Sequence, residues 1–378
     1  MAGFSPLGSG VVGVGLIGAG NISDTYLENL GSFPDVEVLI VGDLDTERAA
    51  AQAAKHGVPA SGSAADVLAH PGVEIVINLT IPAVHAEVSS AIIAAGKHVW
   101  SEKPIAIERG SALALLEQAD AAGLRVGIAP DTVLGPGVQT AKRAIERGDI
   151  GRPLFAQTTM QWQGPEIFHP NPAFLFAKGA GPLFDMGPYY FSTLVHIFGP
   201  VAAVAAMGLK ATDDRTILVG PDTGSTFPVE VPSTITVLAQ FEGGGQSQSL
   251  LSTDSPLRRH GVVEISGTEG TITLPDPNTF SGRTAIIRPL SEAGGEQTWT
   301  EVLEEGTVVG RGLGVLDMAR AIRTGRAHRA TGELGYHVLD TMMAAEESAE
   351  RREFVTVHST VAPIEAMPIE FDPFVRTV

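Results

Sequence analysis

Through its first 130 residues the chain alternates short apolar, β-branched runs with helical segments, and no other feature restricts its fold as much. The runs lie at residues 11–17, 36–42, 73–80, 98–101 and 124–129, and the helical segments between them at 21–30, 46–56, 83–95 and 107–122. Short apolar runs fit strands buried on both faces, and the longer segments that close on Gly96 and Gly123 fit helices with glycine stops. Strands joined through helices of this length need crossover connections. These are right-handed in nearly all proteins and generate a parallel, doubly wound sheet of the Rossmann type. Ligands bind such sheets at the carboxyl ends of the strands, so the residues just after each run carry the functional information.

Two glycine patterns overlap at the first of those ends. Gly13-Val14-Gly15-Leu16-Ile17-Gly18 satisfies G-x-G-x-x-G literally but lies inside the strand, where such glycines cannot cradle a phosphate. Gly18-Ala19-Gly20-Asn21-Ile22-Ser23 begins where the strand ends. There glycines permit a tight turn and let backbone N–H groups approach a pyrophosphate at a helix N-terminus, with Ser23 in the place of the third small residue. A plain strand-to-helix turn would need the same glycines. Asp43 separates the readings, because it follows the second strand, where a carboxylate can bond the adenosine ribose hydroxyls and repel a 2′-phosphate. The next residue is Leu44 rather than an arginine, which favours NAD over NADP, although Arg48 is near enough to keep NADP in play.

The exits after the runs at 73–80 and 98–101 read Thr80-Ile81-Pro82-Ala83-Val84-His85 and Ser101-Glu102-Lys103-Pro104. A lysine fixed at a strand end by a following proline suits a site, since its pKa falls readily on desolvation, but an exposed Glu-Lys pair would read the same way. The order of Gly-Ala-Gly-Asn, Pro-x-x-His, Glu-Lys-Pro and a later Asp-x-Gly segment resembles the glucose-fructose oxidoreductase, inositol dehydrogenase and rhizopine-catabolism (MocA) family. The resemblance is strong from residue 11 to about 199 and looser from there to 357. It implies an N-terminal NAD-binding Rossmann domain, expected at residues 1–130. It also implies a C-terminal α+β domain with an open, mainly antiparallel sheet at 131–378, which binds substrate and pairs the chain into a homodimer or homotetramer.

The resemblance further implies oxidation of a secondary alcohol of a sugar, inositol or related polyol. Lys103 becomes a catalytic residue on the reacting hydroxyl, with Glu102 near the nicotinamide. In Gly179-Ala180-Gly181-Pro182-Leu183-Phe184-Asp185-Met186-Gly187-Pro188-Tyr189, Asp185 matches the aspartate that touches substrate and lysine. Many members carry an acid/base histidine four residues later, where this chain has Tyr189. At i and i+4 of a helix the two side chains share a face, and a tyrosine can move a proton if a neighbouring ammonium lowers its pKa from about 10. Ser192 departs from the family's usual aspartate, and Tyr189 with Tyr190 could equally be helix packing. Gly18, Gly20, Asn21, Ile22, Asp43, Leu44, Thr80, Pro82, His85, Glu102 and Lys103 are thus the positions expected to line the dinucleotide. Lys103, Asp185, Tyr189, Trp162 as a stacking face and His169 are expected at the substrate. Relatives that cleave glycosides with transiently used NAD, or that only sense ligands, are the alternative readings.

Composition narrows the partners. With 25 Lys and Arg against 43 Asp and Glu, the formal charge of −18 repels phosphate backbones and anionic membranes, so nucleic acid and membrane partners are not expected. There is no cysteine, which removes disulfides and thiolate ligands, and no H-x-x-x-H pattern suggests a catalytic metal. The apolar start lacks any Lys or Arg before Arg48, unlike a secretion signal, and no apolar stretch is long enough to span a bilayer; a cytoplasmic protein is expected. Beyond residue 130 a helix is expected at 138–147, strands at 155–162, 234–241, 262–266 and 271–274 with hairpin turns at Gly243-Gly244-Gly245 and 267–270, and helices at 313–324 and 333–352. Residues 212–232, rich in Asp, Thr, Gly and Pro, read as a flexible excursion.

Overall fold

The computed structural model describes residues 7–291 and 295–378; residues 1–6, part of the apolar N-terminal stretch, lie outside them. Two compact units emerge. The first comprises the chain up to Gly135 together with Gly306–Leu339 and Met367–Val378, and the second comprises Pro136–Glu305 and Asp340–Ala366. The division differs from a single cut at residue 130 because two later segments return to the first unit.

In the first unit the elements run β1 (Val12–Ile17), α1 (Asn21–Leu30), β2 (Val36–Gly42), α2 (Thr46–His56), β3 (Ala60–Gly62), α3 (Ala64–Ala69), β4 (Ile75–Asn78), α4 (His85–Ala94), β5 (His98–Ser101), α5 (Arg109–Ala122) and β6 (Val126–Ile128). The sheet order is β3-β2-β1-β4-β5-β6, with every pairing parallel. The order reverses between β1 and β4, which opens a crevice at their carboxyl ends. β1, β4 and β5 are buried along their whole length, as strands covered by helices on both faces must be. Asp45 caps α2 by accepting from Glu47 N and Arg48 N, and Ser63 with Asp66 forms a capping box on α3. β3 and α3 escape the sequence reading because they are short and half exposed.

The second unit opens with α6 (Pro136–Glu146), β7 (Pro153–Gln161) and α7 (Gly181–Phe198). The strands that follow among the described residues are β8 (Val201–Leu209), β9 (Asp214–Thr216), β10 (Thr226–Pro228), β11 (Thr234–Phe241), β12 (Gln246–Ser252), β13 (Arg259–Gly267), β14 (Thr271–Leu274), β15 (Thr284–Ile287), β16 (Thr300–Val302) and β17 (Val355–Thr356). Among the described residues the main sheet has the order β16-β15-β14-β13-β7-β12-β11-β8-β17, antiparallel except where β7 meets β12. Along β11, Ile235, Val237, Ala239 and Phe241 are buried while Leu238 is exposed. This two-residue period marks a sheet covered on one face, here by α7. α8 (Leu313–Thr324) lies against β6 in the first unit, and α9 (Gly332–Arg351) runs from the returning segment into the second.

The excursion at 212–232 is built rather than flexible. β9 and β10 pair antiparallel, and Phe176, Ile217, Phe227 and Val229 form a small core beneath them. Arg215 reaches from β9 to the Glu166 carboxylate at 2.6 Å and to Asp254, and its guanidinium lies 4.7 Å from the centre of the Phe176 ring.

Candidate functional site

At the exit of β1 the two motif glycines have different physical reasons. Gly18 sits at φ +106°, and a Cβ there would lie 2.6 Å from Leu79 O, so the turn closes against the exit of β4 only without a side chain. Gly20 precedes α1 in extended backbone, and a Cβ there would meet nothing within 4 Å. The space above Gly20, at the N-terminus of a ten-residue helix, is where a pyrophosphate fits. Gly13 and Gly15 serve another purpose, since a Cβ on Gly13 would fall 1.9 Å from Gly72 O and one on Gly15 2.7 Å from Val67 Cγ1. They are packing positions inside β1. Ser23 is fully buried and donates to Gly20 O at 2.6 Å, which secures the turn.

Asp43 stands at the exit of β2, only 5% exposed. Its carboxylate accepts from Ala19 N at 2.6 Å and Asp45 N at 2.8 Å, and from Arg48 Nη2 at 2.5 Å. Burial works to raise its pKa, but the bonds from Arg48 and the two backbone amides outweigh that and hold the carboxyl below its ordinary range. The bond to Ala19 N ties the acidic strand end directly to the glycine turn. Leu44 is fully exposed and Asn21 is exposed beside the turn, whereas Ile22 is half buried.

The exits of β4 and β5 are cross-linked. Asn78 accepts from Thr80 N and Thr80 Oγ1 through Oδ1, its Nδ2 donates to His85 O, and its carbonyl accepts from Glu102 N. Pro82 is exposed at the start of a 3-10 turn. His85, expected at the cofactor, is 1% exposed, with Nδ1 2.7 Å from Pro104 O and Nε2 2.9 Å from Thr80 O. A neutral ring donates to one of these carbonyls and only the imidazolium to both; in either form the buried ring lies between the two exits and ties them together. Burial pushes its pKa down, ahead of the opposing pull of the two carbonyls. Glu102 and Lys103 follow β5, and the half-buried Glu102 carboxylate accepts from Tyr26 and from Lys103 N.

In the second unit Asp185 and Tyr189 lie one turn apart on α7, the first half buried and the second 5% exposed. The adjacent tyrosine has a structural task. Tyr190 is fully buried, its hydroxyl accepts from Gly261 N at 3.0 Å, and burial drives its pKa far up, so it anchors α7 to a bulge in β13. Ser192 is buried in the same helix. Trp162, at the end of β7, stacks on Phe168 at 5.4 Å and meets His260 edge-on at 5.4 Å. His169 sits between Phe168 and Phe174 in the same aromatic chain. One face of Trp162 is therefore already covered by Phe168. Among the described residues no group of three or more His, Asp or Glu could hold a metal ion, and no helix is long and apolar enough to cross a membrane.

Sequence reasoning missed Tyr26, Asn78 and Arg215. Asn78 left a signal, an amide within an otherwise apolar buried strand. Tyr26 left none, because on α1 it shares the buried face with Leu27 and Leu30 and reads as core.

Residues 12–129 match the model of the oxidoreductase family with an NAD-binding Rossmann fold, and residues 138–273 match that of the GFO/IDH/MocA C-terminal domain. The trans-1,2-dihydrobenzene-1,2-diol dehydrogenase of Bos taurus is 27% identical over 266 residues, 70% of this chain and 74% of that one. Inositol 2-dehydrogenase 3 of Saccharopolyspora erythraea is 34% identical over 161 residues, 42% of this chain and 48% of its own. The structure of a levoglucosan dehydrogenase in complex with NADH superposes with a TM-score of 0.80 at 23% identity, covering 92% of this chain and 99% of that one. The order of the six-stranded sheet, the open space at Gly20 and the buried acid at the exit of β2 are the features such a dinucleotide needs. The chain belongs to the GFO/IDH/MocA oxidoreductase family, and its first unit is an NAD-binding Rossmann domain.

Proposed function

We propose that the chain is a dehydrogenase that oxidises a secondary alcohol on a hydroxylated ring, a sugar, inositol or related polyol, to the ketone with NAD as acceptor. One observation carries the reading. The Glu102-Lys103 pair is fastened on two sides, to the end of β4 through Glu102 N on Asn78 O at 2.9 Å and to α1, the helix after the glycine turn, through Tyr26 on the Glu102 carboxylate at 2.9 Å. A lysine tethered in that way to the pyrophosphate helix is poorly explained as a surface residue. The names of the relatives, a trans-1,2-dihydrobenzene-1,2-diol dehydrogenase, an inositol dehydrogenase and a levoglucosan dehydrogenase, support a cyclic, hydroxylated substrate.

Bound NAD supplies the acceptor for the hydride that leaves the carbinol carbon. The protein's part concerns the hydroxyl. Lys103 hydrogen-bonds the hydroxyl oxygen and stabilises the negative charge that develops there, Tyr189 receives the proton as the phenolate that the neighbouring ammonium favours, and Asp185 orients them. Asp43 selects NAD by accepting from the ribose hydroxyls, with Arg48 giving way, and Trp162 and His169 border the substrate. The chain acts in the cytoplasm as a homodimer or homotetramer. Phe155, Met207, Leu238 and Phe354, all exposed in the second unit, support pairing through the uncovered sheet face. A monomeric mass by light scattering would remove the oligomer.

The test of the reaction is an absorbance screen at the NADH band over pyranoses, inositols, cyclic diols and glycosides. At least one ring alcohol is expected to give NADH, and Lys103→Ala to lose roughly a hundredfold or more in kcat, the scale of one acid–base group. Full activity in Lys103→Ala would refute the assignment. Hydrolysis of a glycoside without accumulated NADH would favour the glycoside-cleaving alternative, and binding of sugar without turnover the sensor. Tighter binding of NADP than of NAD would contradict the part given to Asp43.

A further inference from the structure

The Glu102 carboxylate is held at both oxygens, and the donors leave no freedom in the arrangement. Trp100 Nε1–H can only donate, and it points at Tyr26 Oη from 3.2 Å. The phenol must accept that bond, so its own proton goes to Glu102 Oε1 at 2.9 Å. Lys103 N, also a donor only, reaches Glu102 Oε2 at 3.2 Å. The chain of bonds thus runs from Trp100 through Tyr26 to Glu102, where it meets the backbone of Lys103. Trp100 and Tyr26 are fully buried, so no water competes for these groups.

The surroundings are charged as well as dry. Asp131, also fully buried, accepts from Gly312 N at 2.8 Å and Gly314 N at 3.0 Å through one oxygen, while its other oxygen has no hydrogen-bond partner. The charges of Glu102, Asp131 and Arg311 all act on Tyr26, and burial, the largest influence, pushes its phenol well above the ordinary range. A hydroxyl this firmly protonated is a donor at every working pH. A core that needed only volume would be filled by phenylalanine. The hydroxyl of Tyr26 instead accepts one bond and gives another, and the one it gives ends on the motif that carries Lys103.

We propose that Tyr26 is a positioning residue for the reaction: by fixing the Glu102 carboxylate it fixes the backbone of Lys103, and with it the point from which the lysine side chain reaches the substrate hydroxyl. This rests on the reading of Lys103 given above. A misplacement of reacting groups by about 1 Å can cost roughly a hundredfold in rate, so a lost tether two residues away is expected to be visible.

The test uses the full chain saturated with NADH, in Tyr26→Phe, Glu102→Gln, the double variant and Trp100→Phe. The first readout needs no substrate: the rate at which trinitrobenzenesulfonate labels Lys103, followed by peptide mass spectrometry. Tyr26→Phe is expected to change that rate at least threefold, and the double variant to match Glu102→Gln, because Tyr26 acts through Glu102. Trp100→Phe disturbs the same packing but leaves the Tyr26–Glu102 bond in place, and its labelling rate is expected to stay near that of the parent. The second readout is turnover of whichever ring alcohol the screen identifies, where Tyr26→Phe is expected to lower kcat about tenfold with KM and NADH affinity changed less than threefold. An unchanged labelling rate in Tyr26→Phe, an equal change in Trp100→Phe, or independent effects in the double variant would each overturn the proposal. If no compound is turned over by the parent chain, the reading of the function fails, and the labelling rates still decide the role of Tyr26.

Discussion

At the scale of single residues, the glycine turn shows how far a motif can be read. The literal pattern Gly13-Gly15-Gly18 and the functional one Gly18-Gly20 cannot be told apart by spacing alone. What separates them in the fold is the neighbour a side chain would meet: Gly72 O and Val67 for the two strand glycines, Leu79 O for Gly18 and open space for Gly20. Two substitutions are therefore expected to act in opposite ways. Gly18→Ala places a methyl against a carbonyl at a positive φ and should cost about 1–3 kcal/mol of stability. Gly20→Ala strains nothing, since its φ is −77°, and should leave Tm unchanged while weakening NAD about tenfold, because the methyl enters space the pyrophosphate uses. Thermal unfolding beside NADH fluorescence titration separates the two. Equal losses of Tm in both variants would mean that Gly20 is structural. Asp43 was legible through its spacing from the turn, but Arg48 as its partner shows only in the fold.

Among the elements, apolar strands and glycine-stopped helices were legible because one period and one stop residue define each of them. The hairpin of β9 and β10 was not, since its sequence is polar and its stability comes from elsewhere in the chain. Arg215 bonds residues 49 and 39 positions away, Glu166 and Asp254, and those three side chains are at most 16% exposed. No local pattern announces such a node. It braces the stretch from Trp162 to Phe174, which carries the aromatic chain. Removing the cation would take the counter-charge from the buried Glu166 and the part-buried Asp254, and breaking a buried pair costs about 3–5 kcal/mol. Arg215→Met is expected to unfold the hairpin and the 163–178 segment locally, seen as faster hydrogen exchange there, while β11 and β12 keep their protection. Unchanged exchange in that segment would show that the small core of Phe176, Ile217, Phe227 and Val229 suffices by itself.

Over the whole molecule, sequence periodicity could place the first sheet but not the segments that return to it, because α8 completes the first unit from more than 170 residues beyond Gly135. That return buries titratable groups at the edge of β5 and β6, which gives the first unit a definite acid sensitivity. His98 Nδ1 accepts from Arg125 N at 2.9 Å, and His328 Nε2 donates to Val126 O at 3.0 Å. Burial, aided by the Arg125 charge, lowers both pKa values to about 4. The unfolded chain takes up these protons near pH 6.5, so between pH 6.5 and 4 it binds more protons than the native state, and stability falls as pH falls, by about 3 kcal/mol per independent group. Asp131 works in the opposite direction. Burial raises its pKa to about 6, so from about pH 4 to 6 the native state keeps a proton that the unfolded chain has released, and stability falls as pH rises. Two histidines against one aspartate leave a net loss towards acid. In Asp131→Asn the amide oxygen can still accept from Gly312 N and Gly314 N, but the opposing trend disappears. Relative to the parent, the variant should therefore gain about 3 kcal/mol between pH 4 and 6.5. Urea unfolding followed by Trp100 fluorescence, with Trp162 and Trp299 replaced by phenylalanine, reads the first unit selectively. A stability difference that does not change with pH would show that Asp131 is ionised in the native state throughout that range.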